Sequence, residues 1–415
     1  MLTSLDRRHP QASRVQPVRQ HDGKSSRVAE LDGVRGCAII LILLWHYVWA
    51  QLAFLEPRTG AAYIRVLTSL TWSGVDLFFV LSGFLIAGIL MDNRDSSNYF
   101  RVFYARRICR IFPLYFLLLG LFAILVVCGA SDNPRFAWLF HNPFSMWTYA
   151  TFTQNIPMGL YRSTGANWLG ITWSLAVEEQ FYLFIPILIR IFSRRAFVVI
   201  TVALIFLAPI LRGVRNDSFL PLWRGDSLLT GAILAVFVRS PSFMNWAKFN
   251  TTYLYSAFFG LLGGAALLTF KPGVFGIANH TWLALLFATV ILIALAGPQT
   301  ILARALRNRV LVWFGTISYG LYMYHQAISG LVHGTWGSGE PSLGTSNGAV
   351  LTAVAFVLSL VVAAISYHFF EKPILRFGQI VNYQRSGASF GGAWERAPTE
   401  SGKCPRQDSN LRPPV

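Results

Sequence analysis

Apolar residues fall in ten long runs separated by shorter polar gaps, at residues 36–54, 71–91, 111–130, 168–190, 196–211, 219–238, 251–270, 281–297, 311–333 and 349–370. As helices, runs of this length bridge most or all of the roughly 30 Å of hydrocarbon in a bilayer. None alternates apolar and polar positions with period two, which excludes a barrel, and lipid leaves no other way to satisfy the backbone. The predicted fold is all-α, a polytopic membrane helix bundle with about ten transmembrane helices. Residues 1–29 are polar and rich in Arg, Gln and Ser, too long and hydrophilic for the n-region of a signal peptide, and are read as a disordered cytoplasmic tail. Residues 30–376 form the membrane domain. Residues 377–415, rich in Gly, Ser, Pro and Arg, are expected to be a second disordered tail. The longest loop, 131–167, is expected to lie partly along the interface, because Pro143, Trp147 and the adjoining Trp168 suit that region.

Composition sharpens this picture. Of 415 residues, 54% are hydrophobic and 13% charged, against about 25% charged in an average soluble domain, so a soluble globular enzyme is excluded. The net charge of +17 would suit a nucleic-acid partner if it formed a patch, but the Lys and Arg residues sit in loops and tails. With a cytoplasmic N-terminus, the inside segments up to residue 310 carry 20 Lys and Arg and the outside loops 7. That bias predicts a multi-pass protein of the cell inner (cytoplasmic) membrane with both termini cytoplasmic, and no nucleic-acid partner. Cys37, Cys109, Cys128 and Cys404 show neither close pairing nor metal-ligand spacing, so neither a disulfide framework nor a metal is expected.

Ionisable groups at membrane depth are costly and mark candidate sites. His46 lies in the first run and Arg35 at its start. Eleven residues at about 100° each bring the two side chains to one helix face, roughly 16 Å apart along the axis. Asp76 opens the second run. Glu178 and Glu179 stand together in the fourth, pointing about 100° apart, so they need not share a partner. His325 is a second mid-membrane histidine, and Glu371 closes the tenth run. Each of these also has a purely structural reading, as pairs that hold a bundle together. His46 stands out because imidazole exchanges protons near neutral pH and is the commonest general base. The stretch Phe100–Pro113 is the densest basic cluster outside the tails, and Arg106 and Arg110 lie one i, i+4 step apart. Paired guanidinium forks suit a phosphate, although the same residues also satisfy the positive-inside rule.

Leu31-Asp32-Gly33-Val34-Arg35-Gly36 followed by His46 resembles the opening helix of the acyltransferase-3 family of integral membrane O-acyltransferases. The resemblance continues in order through Gly74 to Ile86, the arginines before the third run, Trp173 to Tyr182, Ile317 to His325 and Glu371-Lys372-Pro373, covering residues 30–376. It implies transfer of an acyl group, commonly acetyl, from cytoplasmic acyl-CoA to a hydroxyl of a cell-surface or secreted carbohydrate or glycolipid. It also implies that Arg35 and His46 are essential and that Arg106, Arg107 and Arg110 handle the donor together with Arg35. Some members of the family carry an additional esterase-like domain; residues 377–415 are expected to be tail instead. The expected chemistry has His46 taking the proton of the acceptor hydroxyl, with a carboxylate such as Glu178 or Asp76 orienting its ring, either by direct transfer or through an acyl-histidine. The competing functions are a proton-coupled transporter or lipid flippase, for which no repeated halves are visible, and a sensor or scaffold whose charges are only structural.

Overall fold

The computed structural model of the chain describes residues 28–52, 60–215, 219–271 and 273–384. Of the expected tails at 1–29 and 377–415, residues 1–27 and 385–415 lie outside the described residues. All ten apolar runs are helical: α1 (Ala29–Leu44), α2 (Gly74–Asp92), α3 (Tyr99–Val127), α4 (Trp173–Ile191), α5 (Arg194–Arg215), α6 (Pro221–Val238), α7 (Thr251–Phe270), α8 (Asn279–Ala296), α9 (Arg309–Trp336) and α10 (Ser346–Ser366). Among the described residues eight spans are long and apolar enough to cross a membrane; α4 and α9 are not among them. Those two helices carry Glu178, Glu179 and His325, so the polar residues that lower their hydropathy include candidate-site residues. Outward-facing apolar side chains such as Phe206 on α5 and Phe259 on α7 are more than 60% exposed, which is the surface a bilayer covers.

Backbones approach closely where glycine removes the side chain. A Cβ on Gly36 would stand 2.0 Å from the Leu311 carbonyl oxygen, and one on Gly315 would stand 1.9 Å from that of Asp32, so α1 and α9 touch along their first turns. Gly83 and Gly231 do the same for α2 and α6, packing against Leu228 and Val80. Such small-residue contacts are how membrane helices pack without a hydrophobic drive between them.

Several boundaries differ from the hydropathy reading. Helix α3 begins at Tyr99, so the basic stretch is its first three turns rather than a preceding loop. Helix α10 continues through a π-turn (Tyr367–Glu371) into a helix over Lys372–Ile380, past the expected boundary at residue 376, and Val381–Gln384 packs against the start of α3. The segment 131–172 is a chain of short helical turns that caps one end of the bundle. In it Trp147 is exposed, as an interfacial residue would be, whereas Trp168 is buried against Phe122 and Phe140.

Candidate active site

At Trp45 the α1 ladder widens into a π-turn, Trp45–Trp49, and His46 sits in it; such turns recur at functional sites. Gly36 and Gly315 bring α1 and α9 together, and His46 and His325 each follow their glycine by ten residues. The helices run in the same direction, so equal steps from the contact carry both histidines to one level. His325 Nε2 lies 3.1 Å from His46 Nδ1.

The hydrogen-bond partners fix both tautomers. His325 Nδ1 lies 2.7 Å from the Tyr322 carbonyl, and His46 Nδ1 lies 3.1 Å from that of Ile42. Carbonyls only accept, so both Nδ1 atoms carry hydrogen and His325 Nε2 keeps its lone pair. His46 Nδ1–H therefore donates to Ile42 and His325, and His46 Nε2 is left unprotonated, with no hydrogen-bond partner among the described residues. That is the form of imidazole able to take a proton.

His46 lines a cavity of about 870 Å³, within the range of small-molecule sites. The cavity runs from Ile42 and His46 to the bundle end away from the start of α1, where Gln51, Trp72 and Asn279 line it. Trp45, Trp138 and Trp173 contribute further indole faces, and Asn167 and Gln326 contribute amides. Arg35 and the α3 arginines do not line it.

The two expected ring-orienting carboxylates are elsewhere. Asp76, fully buried, pairs with Arg224 at 3.1 Å, accepts from Ser227 Oγ at 2.8 Å and lies 3.4 Å from His280 Nδ1. It is the counter-ion of Arg224, a cavity-wall residue whose guanidinium also lies over the rings of Phe79 and Trp173. A second pair, Arg212–Asp226 at 2.7 Å, continues this cluster. Glu178 accepts from Tyr182 Oη at 2.7 Å, and Tyr182 in turn meets Ser82 at 2.5 Å. His46 is thus oriented by a second imidazole and a backbone carbonyl, and not by Glu178 or Asp76. Glu179 Oε1 is buried without a hydrogen-bond partner among the described residues, so the neighbouring carboxylates do diverge.

The arginines divide as well. Arg106 donates to the Val381 carbonyl and to Asn382 Oδ1, so its guanidinium braces the segment after the last helix. Arg107 lies over the Tyr182 ring, and Arg110 is within electrostatic reach of Glu178 and Glu371. Arg35 pairs with Asp32 at 2.7 Å. Along α4, Ser174, Glu178 and Tyr182 follow at i, i+4 and i+8 on one face. Ser174 meets Tyr322 at 2.6 Å on the cavity wall, while Tyr182 meets Arg107. A polar stripe thus leads from the cavity to the arginines. His325, Tyr322, Arg224 and His280 are the residues that linear reading left without a role.

Comparison with known proteins places this geometry. The profile of the Acyl_transf_3 family, described as an acyltransferase domain, matches residues 28–368. Among curated proteins, SACOL0978 of Staphylococcus aureus (strain COL), provisionally named an O-acetyltransferase, is 26% identical over 389 residues, covering 86% of this chain and 58% of the relative. O-acetyltransferase OatA of Staphylococcus aureus (strain NCTC 8325 / PS 47) is 27% identical over 380 residues, covering 84% of this chain and 57% of OatA. The chain spans less than three-fifths of the length of these relatives. No solved structure matches it. From its opening helix through its tenth, the chain belongs to the Acyl_transf_3 family of acyltransferases.

Proposed function

We propose that the protein is a multi-pass membrane O-acyltransferase that moves an acyl group, most simply acetyl, from acyl-CoA to a hydroxyl of a carbohydrate or glycolipid. The observation that carries this reading is His46: its Nδ1–H is held by two acceptors and its Nε2 is free, in a cavity large enough for a sugar. The acceptor enters from the cavity end. The donor approaches from the opposite end, where Arg35, Arg107 and Arg110 are the candidates for its phosphates. The positive-inside bias supports a cytoplasmic donor end, and the cell inner membrane is the proposed location. Arg106 serves the donor less, because its donors are engaged by Val381 and Asn382.

In the reaction, the acceptor oxygen attacks the thioester carbonyl while His46 Nε2 takes its proton. The carbon–oxygen bond forms, the carbon–sulfur bond breaks, and His46 returns the proton to the departing thiolate, so no net proton is exchanged with solvent. Purified protein in proteoliposomes, given labelled acetyl-CoA and envelope glycan, is expected to yield labelled ester. His46→Ala is expected to lower the rate by about 10²–10⁴, the usual worth of a positioned general base. Unchanged transfer by His46→Ala removes the central residue, and wild-type protein that makes no ester returns the family fold to a transport role.

A further inference from the structure

The cavity around His46 has a neighbour. At the capped end of the bundle, a second cavity of about 500 Å³ lies between the turns at 134–142, the segment 163–167 and the loop at 338–340. Trp138, Asn167 and Glu340 line both cavities, so the two meet at a shared wall. His141, Asn142, Ser163 and Ser338 line only the outer one.

This outer cavity is built by specific contacts. Asn167 Nδ2 donates to the Trp138 carbonyl at 2.9 Å, which ties two of the shared residues to each other. The loop closes against Arg135 at Gly339, whose φ of +104° favours glycine and where a Cβ would stand 2.9 Å from the Arg135 carbonyl oxygen. The exposed surface inside is mainly polar, and among the described residues no Lys or Arg lines it. A carboxylate, an imidazole, two amides and hydroxyls without a cation disfavour an anion and offer both donors and acceptors to a neutral, hydroxyl-rich ligand. Trp138 at the junction adds an apolar ring face of the kind that covers the C–H side of a sugar.

We propose that the outer cavity is a second acceptor subsite, holding the next residue of a neutral, hydroxyl-rich oligomer whose reacting residue lies beside His46. This rests on the acyltransferase reading and narrows it: the preferred acceptor is a chain of at least two linked sugar-like units that crosses the Trp138–Glu340 wall, and a single small alcohol fills only half the site.

The test uses the full chain in proteoliposomes with labelled acetyl-CoA. The acceptors are deacetylated fragments of the producing cell's own envelope glycan, sorted by size from one to four residues. For wild type, kcat/KM is expected to rise about tenfold or more from one residue to two, the net worth of one or two hydrogen bonds. His141→Ala is expected to shrink that step. Ser338→Trp, which fills the outer cavity from an exposed loop position, is expected to abolish it while leaving transfer to single residues at the wild-type rate, which also reports correct folding. Equal efficiency for all lengths in wild type, or an intact step in Ser338→Trp, overturns the second subsite and leaves the acyltransferase reading standing. Absence of ester on fragments of every length overturns both.

Discussion

Replacing His325 with Phe removes one of the two acceptors that fix the His46 ring and leaves the other, the Ile42 carbonyl 3.1 Å from Nδ1, in place. The aromatic volume beside Tyr47 and Tyr322 is largely kept; the change also gives up the His325 bond to the Tyr322 carbonyl, but the loss felt at His46 is one hydrogen bond. A net hydrogen bond is worth about 1 kcal/mol and each 1.4 kcal/mol is tenfold in rate, so kcat is expected to fall about fivefold, far short of the effect of His46→Ala. His325→Gln, which can present its amide oxygen to the same N–H, is expected to recover most of that loss. Because His325 acts only through His46, the double variant His46→Ala/His325→Phe is expected to be no slower than His46→Ala alone. The assay is the initial rate of labelled acetyl transfer in proteoliposomes, normalised to monodisperse protein. Wild-type activity in His325→Phe, or a double variant showing the product of the two single effects, refutes the coupling.

Other expectations follow from the same geometry. Asp76→Asn leaves Arg224 buried without its charge partner, at a cost of about 3–5 kcal/mol; detergent-solubilised protein is expected to melt earlier, and Asp76→Asn/Arg224→Met to recover part of the loss. Gly315→Leu forces α1 and α9 apart and is expected to lower both thermal stability and activity, whereas the same change at Gly260, where a Cβ meets nothing, is expected to be silent in both assays. Arg110→Gln is expected to raise KM for acetyl-CoA severalfold with kcat nearly unchanged, because a donor-binding group contributes equally to ground and transition states. Arg106→Gln is expected to act on the packing of Val381–Gln384, read as faster proteolysis there, with a smaller effect on that KM.

The ten helices were legible because lipid demands long apolar runs, and α7 falls where its run does, at 251–270. The amphipathic ends were harder to read: the first turns of α3 look like a basic loop, since arginines at the membrane surface lower hydropathy without breaking the helix. Within the site, His46 stood out as a titratable group inside an apolar run, but its partner did not. Hydropathy carries no register between helices, so nothing in the pattern joined residue 46 to residue 325. The available signal was the equal ten-residue step from Gly36 and Gly315. Asp76 and Glu178 are carboxylates of the kind that could orient the His46 ring, but sequence does not show their partners, which are Arg224 and Tyr182. The sugar-sized cavity was invisible in sequence, because it is assembled from eight or so short segments brought together at one bundle end.

In the proposed reaction donor and acceptor reach His46 from opposite faces of the membrane. This is tested most directly in proteoliposomes of known protein orientation, with labelled acetyl-CoA sealed on one side and glycan on the other. Labelled ester is expected only when acetyl-CoA is on the face where α1 begins and glycan is on the cavity face. Ester formed equally in the reversed arrangement, or only when both substrates share one side, contradicts it.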